Sequence, residues 1–203
     1  MLLILAGGRG NRLGHLYKPL ITISGTPLIL HIISRFTQHV NEIVVCVGNT
    51  WQANMLAKLL PSSVRVVTDI TTGYGPLAGI YTGLLYSSCE LTYIAPADAP
   101  HISLSMYRKL EEFIIAGYDA AVPRWPSGHV EPLITAVRTT AAYRAAEELM
   151  RLGARKVSKL YALMRTKYVP IHYLSSNPEV EFLNLNRLKD FSLHNRTAQI
   201  PYT

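Results

Sequence analysis

Gly7, Gly8 and Gly10, interleaved with Arg9 and followed by Arg12 and Lys18, are the residues whose types and spacing speak most directly of chemistry. Lacking Cβ atoms, the glycines let successive backbone N–H groups converge on an anion, and the three cations add positive charge to the same stretch. That is a place for phosphate. Asp98, in Tyr93-Ile-Ala-Pro-Ala-Asp-Ala-Pro100, is a carboxylate just past an apolar run with prolines on both sides. Beside a phosphate loop it suits Mg²⁺, which takes one or two carboxylates together with substrate phosphates. Asp69 opens Asp-Ile-Thr-Thr-Gly-Tyr-Gly-Pro-Leu-Ala-Gly79, Asn49 follows a second apolar run, and Asn184 and Asn186 share one face of an extended segment. Each also has a purely structural reading. Asp98 could cap a helix beginning near Ser103, Pro76 could simply open a helix, Asn49 could be a turn residue, and Asn186 could be an N-cap.

Two familiar phosphate loops are excluded by counting. The dinucleotide fingerprint needs a third glycine where Leu13 stands, and the Walker loop needs Gly-Lys where Gly8 leads to Leu13 and Gly10 to His15. Cys46 and Cys89 have neither zinc-site nor redox-pair spacing, and no Ser-His-Asp or Cys-His arrangement is present. Transfer onto a nucleophile that is already an anion needs none of these.

The elements that must position these residues follow from hydrophobic periodicity. Met1 to Leu5 reads as a buried first strand, Leu20–Ile23 as a short one, and Thr26 as the cap of a helix with Pro27 at its first position and Leu28, Ile29, Ile32, Ile33 and Phe36 as its apolar stripe. Ile43–Val47, Val64–Val67 and Leu91–Ala95 read as strands. Residues 51–60, Pro76 to about Ser87 (with Tyr81, Leu84 and Leu85 inward) and Leu104–Ile115 read as helices between them. Strands over Ala120–Val122 and Pro132–Val137, helices over 139–151 and 154–166, and a strand over Tyr168–Tyr173 complete the reading. Strand and helix alternate with short connections, which implies an α/β fold: a Rossmann-like three-layer sandwich with a mostly parallel central sheet. Ligands in such sheets lie at the carboxyl ends of the strands, where Gly7, Asn49, Asp69 and Asp98 all fall.

At 203 residues, the chain fits one domain: a nucleotide-binding core over 1–137 and acceptor-side helices with a closing segment over 138–203. The net charge of +7 suits an anionic ligand. Nucleic acid is the weaker option, because no nucleic-acid-binding motif is present. No apolar run reaches the ~18 residues of a membrane span. The beginning of the chain lacks the basic segment of a secretory signal, so a cytoplasmic protein with no membrane partner is expected.

Leu5-Ala-Gly-Gly-Arg-Gly-Asn-Arg-Leu-Gly14, Lys18-Pro19-Leu20 and Gly25-x-Pro27-Leu28 closely resemble the nucleotidyltransferase signature. Within that superfamily the chain is most similar to the molybdenum-cofactor guanylyltransferases. The resemblance implies the nucleotide-diphospho-sugar transferase type of fold, with Leu5, Ala6, Gly7, Gly8, Lys18 and Asn49 on the nucleotide. Asp69 with Gly75, Pro76 and Leu77 would close over guanine and ribose. Asp98, in a Pro-x-Asp-x-Pro motif, and Asn184, in Asn-x-Asn, would hold Mg²⁺, and Arg12, Lys18 and Asp98 would be catalytic. The implied reaction transfers GMP from GTP to the phosphate of molybdopterin, free or loaded with molybdenum or tungsten. It releases pyrophosphate and forms a guanine dinucleotide cofactor, which an oxidoreductase or chaperone would receive. His129, Glu131 and Pro132 would face the acceptor, and the basic cluster from Arg151 to Lys167 is either a phosphate-binding surface or a solvated face. His15-Leu16-Tyr17 departs from the pattern. The rival readings are adenosylcobinamide phosphate or a sugar phosphate as acceptor, and a non-catalytic nucleotide- or nucleic-acid-binding protein.

Overall fold

The computed structural model of the protein describes residues 1–8 and 17–185. Three β-branched or leucine-rich runs, β1 (Leu2–Leu5), β4 (Ile43–Val47) and β6 (Leu91–Pro96), form the centre of a seven-stranded sheet ordered β5-β4-β1-β6-β8-β7-β9. The others are β5 (Val64–Thr68), β7 (Ala120–Arg124), β8 (Thr135–Arg138) and β9 (Thr166–Pro170). All are parallel except β8, which runs antiparallel to β6 and β7. Every residue of β4 is buried, as a continuous apolar run covered on both faces requires.

Chain reversal after β5 decides the layering. The crossovers through α1 (Leu28–Phe36) and α2 (Thr50–Ala57) move outward from β1 and cover one face, joined there by α4 (Leu104–Ile115) and α6 (Ile171–Leu174). The crossover through α3 (Pro76–Leu85) returns past β1 to β6 and covers the other face together with α5 (Thr139–Arg151). One handedness of crossover applied in two directions puts helices on both faces. It also leaves β1 and β6 adjacent with their carboxyl ends open, the switch point at which such sheets take ligands.

Several boundaries differ from the sequence expectation for physical reasons. Thr26–Pro27 is not a helix start. It is β3, paired antiparallel with β2 (Thr22–Ile23) through a two-residue turn in which Ser24 and Gly25 have φ of 51° and 78°. Pro27 is therefore the N-cap of α1, and Lys18–Leu20 is a 3-10 turn ahead of the hairpin. Leu85 is half exposed, because the inner face of α3 is set by Leu77, Ile80 and Leu84. The helix expected over 154–166 is a 3-10 segment, Val157–Leu163, since from Thr166 the chain is held by parallel pairing to β7. Strand β9 stops at Pro170, and α6 with α7 (Pro178–Glu181) replaces the rest of the expected strand.

Gly83 brings α3 directly onto β1, where a Cβ would lie 2.2 Å from Leu3 Cδ1. Leu3 is fully buried and has nowhere to move. Gly83→Ala is expected to lower stability by about 1–3 kcal/mol, the usual cost of overpacking, measured by urea denaturation.

Candidate active site

The first wall of the site is the turn after β1. Ala6 N–H donates to Cys46 O at 2.8 Å and Ala97 N–H donates to Leu5 O at 3.0 Å, so the ends of β4, β1 and β6 are laced together where the ladder stops. Gly7 then passes against Gly48 so closely that a Cβ on Gly7 would sit 3.0 Å from Gly48 N, whereas one on Gly8 would meet nothing within 4 Å. Gly7 is required for backbone packing; Gly8 faces open space.

Asp98 forms the second wall. Its Oδ2 accepts a hydrogen bond from Lys18 Nζ at 2.8 Å, which closes the 80 residues between them into one charged contact. The Asp98 carbonyl accepts from Leu185 N–H at 2.9 Å, which sets Asn184 beside the same residue. The capping role is taken by Ser103, whose Oγ accepts from Met106 N–H at 3.1 Å. Asp98 is thus not the cap of α4; Lys18 and Asp98 are in contact, and the backbone next to Asn184 is bonded to Asp98.

Asp69 lies at the end of β5, its N–H donating to Val47 O at 2.8 Å and its Oδ1 accepting from the Cys46 thiol at 3.0 Å. Burial pushes the Asp69 carboxyl above the usual carboxylate range, with the thiol hydrogen bond opposing it. Burial likewise pushes the Cys46 thiol up, in keeping with a structural rather than reactive cysteine. Gly75, with φ 57°, turns the chain into α3, whose first residue is Pro76 and whose Leu77 is buried in the core. Leu5 and Ala6 are core residues at the strand end, so only their main chain faces the site.

Asn49, expected as a nucleotide contact or a turn residue, is instead the N-cap of α2. Its Oδ1 accepts from Gln52 N–H at 2.9 Å and caps α2. Gln52, which no motif singles out, is 3% exposed and bonded to both glycine segments. A single polar residue in a helix without a clear apolar stripe carries no signal of a partner 44 positions away. Arg9, Gly10, Arg12, His15 and Asn186 lie outside the described residues.

On the far side of the sheet, the loop after β7 is a tight turn: Gly128 has φ 87°, and Trp125 N–H donates to His129 O at 2.8 Å. Glu131 Oε1 accepts from the Trp125 indole at 2.8 Å, with His129 Nε2 at 3.6 Å, so this carboxylate builds the loop as well as facing it. Beyond the carboxyl ends of β7 and β9 is a cleft of about 240 Å³ lined by Arg124, Trp125, Tyr168, Pro170 and His172 among others. Trp125 packs edge-on against Phe182 at 6.2 Å, which connects the cleft to the segment carrying Asn184. Arg165 and Lys167 of the basic cluster stack on Tyr118 and Phe113, on the outer strand.

Comparison with known proteins agrees with this geometry. Residues 2–169 match the MobA-like NTP transferase domain. A probable molybdenum cofactor guanylyltransferase of Thermococcus gammatolerans is 33% identical over 190 residues, covering 92% of this chain and 94% of the relative. A molybdenum cofactor guanylyltransferase of Burkholderia lata is 31% identical, covering 94% and 92%. Among solved structures, molybdopterin-guanine dinucleotide biosynthesis protein A from Archaeoglobus fulgidus superposes with a TM-score of 0.81 at 23% identity, covering 95% of both chains. The 2-C-methyl-D-erythritol 4-phosphate cytidylyltransferase of Thermus thermophilus gives 0.69 at 18%, again covering 95% of both. These two likenesses establish the shared nucleotidyltransferase fold.

The two glycines should respond oppositely to a methyl group. Gly7→Ala is expected to cost about 1–3 kcal/mol in denaturant unfolding, because backbone stands in its way. Gly8→Ala should leave stability within about 0.5 kcal/mol and instead weaken anion binding. For Asp69, a carboxyl raised above its unfolded value is a charge that folding disfavours, so its cost appears as pH rises through the shifted range. Asp69→Asn should therefore raise Tm at pH 7.5 more than at pH 4, checked by calorimetry at both.

Proposed function

The chain belongs to the MobA-like NTP transferase family, and from that we propose that it transfers GMP from GTP to the phosphate of molybdopterin, free or loaded with molybdenum or tungsten. The observation that carries the reading is the meeting of Lys18, Asp98 and the Asn184 segment at the open end of β1 and β6.

The main-chain amides of the glycine turn and the Lys18 ammonium receive the triphosphate. Arg9 and Arg12 join this proposal through the sequence motif alone. Asp69 and the Gly75-Pro76-Leu77 turn face guanine and ribose, whose N1–H and N2–H₂ donors are read by a carboxylate or carbonyl acceptor. Asn49, whose carboxamide oxygen already caps α2, contributes from the rim of the site.

The donor set fits Mg²⁺. Asp98 and Asn184 offer oxygen ligands, and no cluster of three or more His, Cys, Asp or Glu side chains occurs among the described residues. An ion that keeps phosphate and water ligands needs no more than this. When bound, Mg²⁺ supplies positive charge to the phosphate oxygens as charge builds in the transition state. Asp98 and Asn184 would hold it, and Lys18, bonded to Asp98, would add its positive charge beside them.

An acceptor phosphate oxygen forms a bond to the α-phosphorus, the bond from that phosphorus to the bridging β-phosphate oxygen breaks, and pyrophosphate leaves. A phosphate monoester, with a second pKa of about 6, is already dianionic at neutral pH. The site therefore needs no protein base, and positioning with electrostatics supplies the rate. On this reading residues 1–137 serve the nucleotide and residues 138–203 the acceptor. The cleft lined by Arg124, Trp125 and Tyr168 offers a cation and aromatic faces to an anionic heterocycle.

Pyrophosphate release from GTP, Mg²⁺ and molybdopterin tests the proposal, with CTP, ATP and UTP as competitors. Asp98→Ala is expected to reduce turnover by about a thousandfold, the several kcal/mol that metal-ion charge stabilisation contributes. Preference for CTP would overturn the guanine assignment, and release only with a sugar phosphate would overturn the acceptor.

A further inference from the structure

Gln52 is a buried carboxamide with both of its ends committed to the glycine segments. Its Oε1 accepts from Gly48 N–H at 2.8 Å and its Nε2 donates to Gly8 O at 3.3 Å. Its own backbone N–H donates to Asn49 Oδ1 at 2.9 Å, which fixes the helix end that carries it. The orientation of the carboxamide follows from its partners. Turned over, it would set donor against the Gly48 N–H and acceptor against the Gly8 carbonyl.

From this we infer that Gln52 is a positioning residue for the phosphate loop, an inference that rests on the nucleotidyl-transfer reading above. Among the described residues, packing holds Gly8 less closely than Gly7, which leaves the Gln52 hydrogen bond as a restraint on its carbonyl. A Cβ there would meet no atom within 4 Å, whereas Gly7 is wedged against Gly48. An unrestrained glycine peptide has two orientations of its plane at little cost in energy. With the carbonyl bonded to Gln52, its partial negative charge is engaged by a protein donor. With the plane turned over, a carbonyl oxygen would face phosphate oxygens and the loop would repel what it is built to hold. Gln52 selects the first orientation, and it does so from beneath the loop without touching the nucleotide.

The residue also couples the turns after β1 and β4. Gly48 and Gly8 are bonded to opposite ends of one planar group, so the two segments keep a fixed separation. A shift of the second turn is thereby passed to the first. A side chain that merely filled the space would transmit nothing of the kind.

The test compares ligands that differ only in phosphate. Gln52→Met removes both hydrogen bonds at similar length, and Gln52→Glu keeps the acceptor for Gly48 N–H but has no donor for Gly8 O. Gln52→Asn, a shortened carboxamide, serves if either fails to fold. Dissociation constants for GTP and guanosine with Mg²⁺ are measured by titration calorimetry beside thermal melting. GTP affinity should fall about tenfold in the Met variant, roughly one hydrogen bond, and further in the Glu variant, with guanosine affinity unchanged. Equal losses for both ligands, or an unchanged GTP-to-guanosine ratio, would overturn the inference while leaving the nucleotidyl-transfer reading intact. A wild-type protein that binds GTP no better than guanosine would sink both.

Discussion

Everything in the site depends on one constraint: β1 and β6 are hydrogen-bonded neighbours although far apart in the chain, Leu2 pairing with Tyr93 and Leu5 with Pro96. The chain meets that constraint by building outward through β4 and β5 and then returning across the opposite face through α3. Only this order leaves two strand ends side by side with no helix between them. The glycine turn issues from one and Asp98 from the other, tied by the Ala97 N–H to Leu5 O bond at the last rung. The charged contact across the site does not hold this arrangement. Lys18 and Asp98 are each about one-fifth exposed, and so solvated a pair contributes at most about 1 kcal/mol. The sheet and its two apolar layers hold the walls; the ion pair is an outcome of where they stand.

That division explains the placement of polar groups. The strands beneath the site are mostly apolar; of the buried polar side chains Gln52 and Thr82 serve backbone at loops, while Thr92 pairs with Thr139 and Thr135 with Tyr161. Thr82 Oγ1 accepts from Ile70 N–H at 3.1 Å, just as Gln52 serves Gly48 and Gly8. Asp69 is the costly exception, a carboxylate at a strand end whose side chain accepts from the Cys46 thiol and, among the described residues, from no other side-chain donor. A group held under strain of desolvation at a strand's carboxyl end is what binding sites exhibit and cores avoid.

Much of this was legible in the residues. The Val-rich runs of β4 and β5 and the mixed apolar run of β6 mark those strands nearly to the residue, and Leu104–Ile115 and Thr139–Arg151 match their observed bounds. Glycine spacing and the prolines around Asp98 located the site because backbone constraint is written locally. What escaped was written elsewhere in the chain. The reversal of β8 depends on which strand it pairs with, and its own composition suits either direction. The 3-10 segment at Val157–Leu163 has helix-like spacing, and only the claim of β7 on Thr166 stops it from continuing. Gln52 and the Trp125–Glu131 pair are recognisable only once the backbone has brought their partners within reach.

The C-terminal part of the described chain adds a coupling that neither half of the site has alone. Phe182 packs on Trp125 beside the acceptor-side cleft, and three residues later Leu185 donates its N–H to the Asp98 carbonyl. Three extended residues span about 10 Å, so one short strap joins the cleft to the proposed metal carboxylate. Leu185 is also buried with Ile21, Ile23 and Leu28, which ties the strap to the β2–β3 hairpin that follows Lys18. Displacing the strap at either end would therefore disturb Asp98 from one side and the Lys18 segment from the other. A two-substrate transferase gains from such a connection. The residues proposed to bind the cation and the wall proposed to face the acceptor share one element, so on that proposal ordering of either substrate's surroundings bears on the other's without any contact between the two ligands.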